Sequence, residues 1–122
     1  LSFFLYQTKC RAEYPELKEI FEEFGRLHFN DFRFTQVQMN KNYETPPHKD
    51  SSNIGESILL TLGDYKGGET CVQFENELKE FDAHYNLIRF NGSKYLHYTK
   101  PFTGTRYALV FFNNRKLIFT PD

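Results

Sequence analysis

Leu87-Ile88-Arg89-Phe90-Asn91-Gly92-Ser93-Lys94-Tyr95-Leu96-His97 reads as a buried strand, a tight turn and a second strand that ends in histidine. Asn-Gly between apolar runs is a strong short-range turn signal, because both residues accept the positive φ that tight turns demand. Short apolar runs and turn residues continue to alternate on both sides of this stretch. Downstream, Pro101, Gly104, Thr105 and Arg106 lead into an apolar strand predicted over Thr105 to Phe112, and Asn113-Asn114 predicts a hairpin into Lys116 to Phe119. Upstream, strands are predicted over Glu56 to Leu62, Glu69 to Phe74 and Tyr85 to Phe90. The loop Gly63-Asp64-Tyr65-Lys66-Gly67-Gly68 separates the first two, and a polar span from Glu75 to His84 separates the next pair.

Nearer the N-terminus the period changes. Phe32, Phe34, Val37 and Met39 mark a strand near residues 32–40 whose alternation slips once, as at a bulge. Asn40 to Pro47 reads as a loop, stiffened by Pro46-Pro47. From about Tyr14 to Leu27 a helix is predicted, because Leu17, Ile20, Phe21, Phe24 and Leu27 recur at three- and four-residue steps. Pro15 suits its first turn, Glu13 and Glu16 suit the positive end of its dipole, and Gly25 weakens its last turn. One helix followed by six to eight short strands describes an all-β sandwich or barrel, with the helix as a support packed on a sheet.

The 122 residues make one domain, 1–122. Fourteen Phe and eight Tyr without Trp fit strand-rich packing. A net charge of -1 with scattered Lys and Arg gives no electrostatic footprint for nucleic acid or membrane. Lys94, Lys100, Arg115 and Lys116 offer at most a modest basic rim. Cys10 and Cys71 lack metal spacing; their number allows a disulfide, and the preferred reading is two free thiols in a reducing, intracellular compartment. No apolar run approaches the ~18 residues needed to cross a bilayer. The chain begins at Leu1 without methionine, which fits an excised or processed piece of something longer.

His48-Lys49-Asp50 closes the proline-marked loop. In an extended segment residues i and i+2 point to one side, so both side chains can reach one metal. Alone, His-x-Asp is a weak signal that a surface loop produces by chance. With His97 as a second imidazole the set is two histidines and one carboxylate, which leaves open positions on the metal and suits non-haem Fe(II). His84 is the alternative second histidine, whereas His28 reads as a helix C-terminal residue. Arg106, in a strand with Ala108 and Val110 on its own face, is placed to fork onto a carboxylate.

This order resembles the Fe(II)/2-oxoglutarate-dependent oxygenase superfamily, whose pattern is His-x-Asp, a long interval, His, and a basic residue about ten positions on. The intervals here are 47 residues from Asp50 to His97 and nine from His97 to Arg106. The resemblance covers roughly Gln38 to Phe112 and includes Asn53-Ile54-Gly55-Glu56-Ser57 and the Gly67-Gly68-Glu69 turn. Within the superfamily it looks most like the TET/JBP nucleobase hydroxylases and their microbial relatives, and prolyl-hydroxylase-like members share much of the skeleton.

The resemblance implies a double-stranded β-helix (jelly-roll, cupin-like) with the N-terminal helix bracing the larger sheet. It implies His48, Asp50 and His97 as ligands of Fe(II), Arg106 on the distal carboxylate of 2-oxoglutarate, and O2 as co-reactant, with ascorbate as a reductant. Tyr43, Asn40 and Thr99 are candidates for polar contact to 2-oxoglutarate, and Thr61 is a further one. The implied reaction hydroxylates a C–H bond and releases succinate and CO2. The implied substrate is a modified nucleobase or a protein side chain such as proline, handled by a monomer. Many members carry Ser or Thr two residues after the basic residue; here that position is Ala108, so another group must serve. The competing readings are a metal-binding β-sandwich without turnover and an interaction domain in which His-x-Asp is coincidental.

Overall fold

Alternating side chains on the strand Tyr107–Phe112 feed two different cores, and this one element organises the molecule. The structure, a computed structural model, describes residues 2–4 and 15–115. Its elements are β1 (Ser2–Phe4), α1 (Pro15–His28), β2 (Gln36–Lys41), β3 (Ser57–Leu62), β4 (Tyr65–Gly67) and β5 (Thr70–Gln73). They continue with β6 (Leu78–Phe81), β7 (Ile88–Phe90), β8 (Leu96–Thr99), β9 (Phe102–Gly104) and β10 (Tyr107–Phe112). A five-stranded antiparallel sheet runs β1-β2-β10-β3-β7, a three-stranded sheet β6-β5-β8, and β4 pairs β9. The described residues are therefore mainly β with one helix, in agreement with the class read from the sequence.

On one face of the large sheet, Val37, Ile58, Leu60, Leu109 and Phe111 pack against Phe21, Phe29 and Phe34. Phe111 is the hub, with Phe29 and Phe34 ring centroids at 5.1 Å, Phe24 at 5.9 Å and Phe21 at 6.1 Å. The other face turns Leu59, Ile88, Phe90 and Ala108 toward Val72 of the small sheet and Ala83. That inner face lines the cavity that holds the candidate site.

The predicted helical stripe is narrower than its spacing suggested. Leu17, Phe21 and Phe24 face the sheet, while Ile20 and Leu27 are exposed on the flanks. Gly25 has a packing reason: a Cβ there would lie 2.7 Å from the Phe34 ring. The strand expected near 32–40 starts only at Gln36 and pairs with β10 through six consecutive residues, so the slip lies ahead of the strand and no bulge interrupts it.

Four strands escaped the reading, and β1 at Ser2–Phe4 is one of them. Strand β6 lies in the expected polar span; as an exposed edge it has no apolar face to betray it. Strands β4 and β9 are three residues each, too short for any periodicity. Asn91-Gly92 turns the chain, but between sheets: β7 belongs to the large sheet and β8 to the small one. The Asn91 side chain organises this crossing by accepting hydrogen bonds from the Ser93 and Lys94 amides. Asn114 bridges Asn53. The strand expected over Lys116 to Phe119, Cys10 and the helix start at Tyr14 lie outside the described residues. Cys71 is a buried free thiol. No helix among the described residues is long and apolar enough to cross a membrane.

Candidate metal centre

His48 meets His97 because residues 45–48 run along the free edge of β8 and pair with it at one isolated antiparallel bridge, His48 to His97. The His48 amide donates to the His97 carbonyl at 3.0 Å, and the His97 amide donates back to the His48 carbonyl at 3.0 Å. The Thr99 amide donates to the Thr45 carbonyl at 3.1 Å, and the two threonine hydroxyls are 2.8 Å apart. Reciprocal bonds of this kind set two residues directly opposite each other in an antiparallel ladder. The imidazole centroids are 4.2 Å apart. Asp50, two residues on, is anchored by its amide to the Gly92 carbonyl at 2.9 Å.

Asp50 stands between the two rings. Its Oδ1 lies 3.4 Å from His48 Nε2 and its Oδ2 3.2 Å from His97 Nε2. One ligand atom from each of the three residues falls within 4.8 Å of the others, close enough for one ion. The tautomers suit that use. His48 Nδ1 lies 2.6 Å from the Pro46 carbonyl and His97 Nδ1 2.9 Å from the Tyr95 carbonyl. A carbonyl only accepts, so each Nδ1 carries the hydrogen and each neutral ring keeps its Nε2 lone pair for a metal. Burial depresses the His97 pKa, but the Asp50 carboxylate and the Tyr95 carbonyl outweigh it, and the net shift is upward.

Arg106 enters the same cavity ahead of β10. Its amide donates to Asn42 Oδ1 at 2.8 Å and its carbonyl accepts from the Asn42 amide at 2.8 Å. Asn42 holds a left-handed backbone, φ 52°, which asparagine tolerates better than most residues. The Arg106 side chain is 3% exposed, its Cζ 5.7 Å from both the Tyr65 and Phe102 ring centroids. Burial lowers its pKa, opposed by Tyr65 and Glu69. A guanidinium starts so high that it stays charged. Arg106 Nε has no hydrogen-bond partner among the described residues.

The three candidate ligands and Arg106 line one cavity of ≈ 300 Å3, together with Asn40, Tyr43, Thr99 and Ala108. Asn40 Oδ1 accepts from Gln38 Nε2 at 3.1 Å, and Tyr43 stands at the mouth, 54% exposed. Thr61 shares the inner face with Leu59 and Ser57 but does not line the cavity: it is fully buried and its hydroxyl is bonded to the Tyr65 hydroxyl. His84 lies elsewhere, its Nε2 2.7 Å from the Gly63 carbonyl and its ring against Tyr65. His28 ends the helix and stacks on Phe24. Of the expected basic rim, Lys100 is paired with Glu80 at 2.6 Å and Lys94 lies over the Tyr95 ring, while Lys116 lies outside the described residues.

Three contributors escaped the sequence reading. Asn42 holds the Arg106 backbone, and Tyr65 flanks its guanidinium. Gly92 makes room: a Cβ there would lie 3.0 Å from Asp50 Oδ2 and 3.1 Å from His97 Cε1. Only the Asn-Gly pair left a signal, and it pointed to a turn.

No protein-family model and no curated protein matches the chain. Solved structures do match. NgTET1 in complex with 5mC DNA aligns with a TM-score of 0.64 at 20% identity, over 80% of this chain and 40% of that one. A 2OG-Fe(II) oxygenase family oxidoreductase from Burkholderia pseudomallei aligns with a TM-score of 0.57 at 20% identity, over 77% and 54%. A prolyl 4-hydroxylase from Phytophthora capsici aligns with a TM-score of 0.56 at 19% identity, over 94% and 48%. The chain thus spans about half the length of these three proteins or less. The likeness, at 20% identity or less, is one of fold.

Proposed function

We propose that the chain is the catalytic domain, residues 1–122, of an Fe(II)- and 2-oxoglutarate-dependent dioxygenase built on a double-stranded β-helix. One observation carries the reading: a His-Asp-His cluster with both Nε2 lone pairs turned inward shares a cavity with a buried arginine whose Nε lacks a partner among the described residues. Two neutral imidazoles and a carboxylate are the donor set that suits ferrous iron with open positions. A buried guanidinium that forms no salt bridge among the described residues is a ready partner for a carboxylate. The residues therefore fit both the metal and the cosubstrate.

His48, Asp50 and His97 hold Fe(II), and Arg106 binds the distal carboxylate, with Asn40, Tyr43 and Thr99 as polar lining. When bound, iron with 2-oxoglutarate and O2 supplies the oxidising chemistry, which converts R–H to R–OH with succinate and CO2 as co-products. The protein positions both reactants and excludes solvent. Ascorbate serves to keep the metal ferrous, and a reducing intracellular compartment suits both that metal and the free thiol of Cys71.

A modified nucleobase is the substrate we favour, supported by the fold likeness to a protein crystallised with 5mC DNA. Proline in a peptide is the second reading, supported by the prolyl 4-hydroxylase that aligns with 94% of the chain. The lack of a strong basic rim also favours it, since polynucleotide affinity is carried by phosphate contacts.

Anaerobic Fe(II) with 2-oxoglutarate should develop a visible charge-transfer band that His97→Ala abolishes; a folded, metal-loaded wild type without the band refutes the reading. Succinate formed under O2 separates turnover from inert metal binding. Screening methylated DNA, RNA and peptide pools by mass spectrometry for one added oxygen decides the substrate.

A further inference from the structure

We infer that Asn91 is a positioning residue for the metal centre, setting through one turn both the Asp50 carboxylate and the His97 ring. The inference rests on the metal-centre reading and concerns a residue that offers no ligand and does not line the cavity. Asn91 Oδ1 accepts three hydrogen bonds, from the Ser93 amide at 3.1 Å, the Lys94 amide at 3.1 Å and the Ser93 hydroxyl at 2.7 Å. Its carbonyl accepts from the Lys94 amide at 3.2 Å and the Tyr95 amide at 3.0 Å. The pattern is that of a helix N-cap closed over a single turn, with the side-chain oxygen on amides that would otherwise lack a partner. Strand β7 ends at Phe90 and β8 starts at Leu96, so the path between the sheets is fixed mainly within the turn.

Two carbonyls of that turn hold the ligands. The Gly92 carbonyl takes the Asp50 amide at 2.9 Å, two residues beyond the bridge at His48. The Tyr95 carbonyl takes the His97 Nδ1–H at 2.9 Å, and Tyr95 is itself held through its amide by Asn91. The bridge to His48 fixes the His97 backbone but leaves the ring free to turn about its side-chain bonds. The bond from Nδ1 stops that rotation and aims Nε2 at Asp50. His48 is aimed differently, by the Pro46 carbonyl at 2.6 Å, which lies outside this turn.

Removing the cap therefore acts on two ligands at once and spares the third. Asn91→Ala takes away all three acceptor bonds of the side chain, and the turn that presents the Gly92 and Tyr95 carbonyls loosens. Asn91→Asp keeps an acceptor oxygen in the same place and the shape of the side chain. Residues next to a metal's ligands usually set ring orientation by such bonds, and losing one costs affinity without removing a donor. Asn-Gly reads in the sequence only as a turn; in the structure Asn91 caps it and Gly92 makes room for the ligands.

The test reads ring orientation and metal affinity rather than turnover. In protein loaded with Zn(II), a diamagnetic probe, proton–nitrogen NMR follows the Nδ1–H of His48 and of His97 separately. Asn91→Ala should shift the His97 Nδ1–H upfield and speed its exchange with water, while the His48 Nδ1–H stays in place. Co(II) affinity, followed by visible absorption, should fall about 10–100-fold. Asn91→Asp should restore both the His97 signal and the affinity. Should the alanine variant fail to fold, Ser93→Ala, which removes one of the three bonds, takes its place and should show the same selective change at smaller size. A wild-type His97 signal with wild-type Co(II) affinity in the variant, or equal changes at both histidines, overturns the positioning role and leaves the metal-centre reading standing. A wild type in which neither histidine responds to Zn(II) overturns both.

Discussion

Replacing Gly92 with alanine tests the metal centre through a residue that offers no ligand. The amide of Asp50 hangs on the Gly92 carbonyl, and the Gly92 Cα faces the cluster. An added Cβ would stand 3.0 Å from Asp50 Oδ2 and 3.1 Å from His97 Cε1, where ordinary contacts begin near 3.4 Å. One ligand or both must retreat by about 0.3–0.4 Å, beyond the ~0.2 Å tolerance of metal–ligand bonds. Gly92 is not among the glycines with positive φ, so alanine strains no backbone and the effect is steric alone. Disturbing ligand orientation typically costs about 10–100-fold in metal affinity. Titration of metal-free Gly92→Ala with Co(II), followed by visible absorption, should show a loss of that size. Melting of the metal-free variant should fall by only a few degrees. Wild-type Co(II) affinity in a folded Gly92→Ala protein would refute the argument that these three side chains share one ion.

Phe111→Ala should destabilise the fold by about 3–5 kcal/mol in chemical denaturation, since it empties the hub of an aromatic cluster; a loss under about 1 kcal/mol contradicts that packing. Asn42→Gly keeps the left-handed backbone but drops the bond to the Arg106 amide, so 2-oxoglutarate binding should weaken several-fold with metal binding unchanged, as read by calorimetry on Mn(II)-loaded protein. His84→Ala should leave Co(II) affinity at the wild-type value; a clear loss would move the second imidazole ligand away from His97. The pH dependence follows from the raised His97 pKa. In the metal-free protein its stabilising contribution is complete below the unfolded value of about 6.5 and disappears as pH rises through the higher folded value. Metal binding runs the opposite way, strengthening across that same interval because the ring must lose its proton. Melting curves of metal-free wild type and His97→Asn against pH check the first, and Co(II) titrations check the second.

Much of this molecule was legible as sequence because it depends on local order. Alternating apolar residues and turn pairs announced the strands, a 3.6-residue stripe announced the helix, and chemistry-bearing residues stood at telling intervals. His48 and Asp50 are two apart, and extended backbone alone turns them to one side. What one-dimensional spacing could not decide is which edges meet. His48 faces His97 because residues 45–48 lie along β8, a pairing across about fifty residues that leaves no periodic mark. The same long-range closure brings Gly68 to Arg106, ties Thr61 to the Tyr65 hydroxyl, and turns Asn91-Gly92 into a crossing between sheets. Local propensity acts over a few bonds, whereas the cavity is made by hydrogen-bonded contacts between distant segments. The residue types of the site were therefore readable from the chain, and their company was settled only by the tertiary fold.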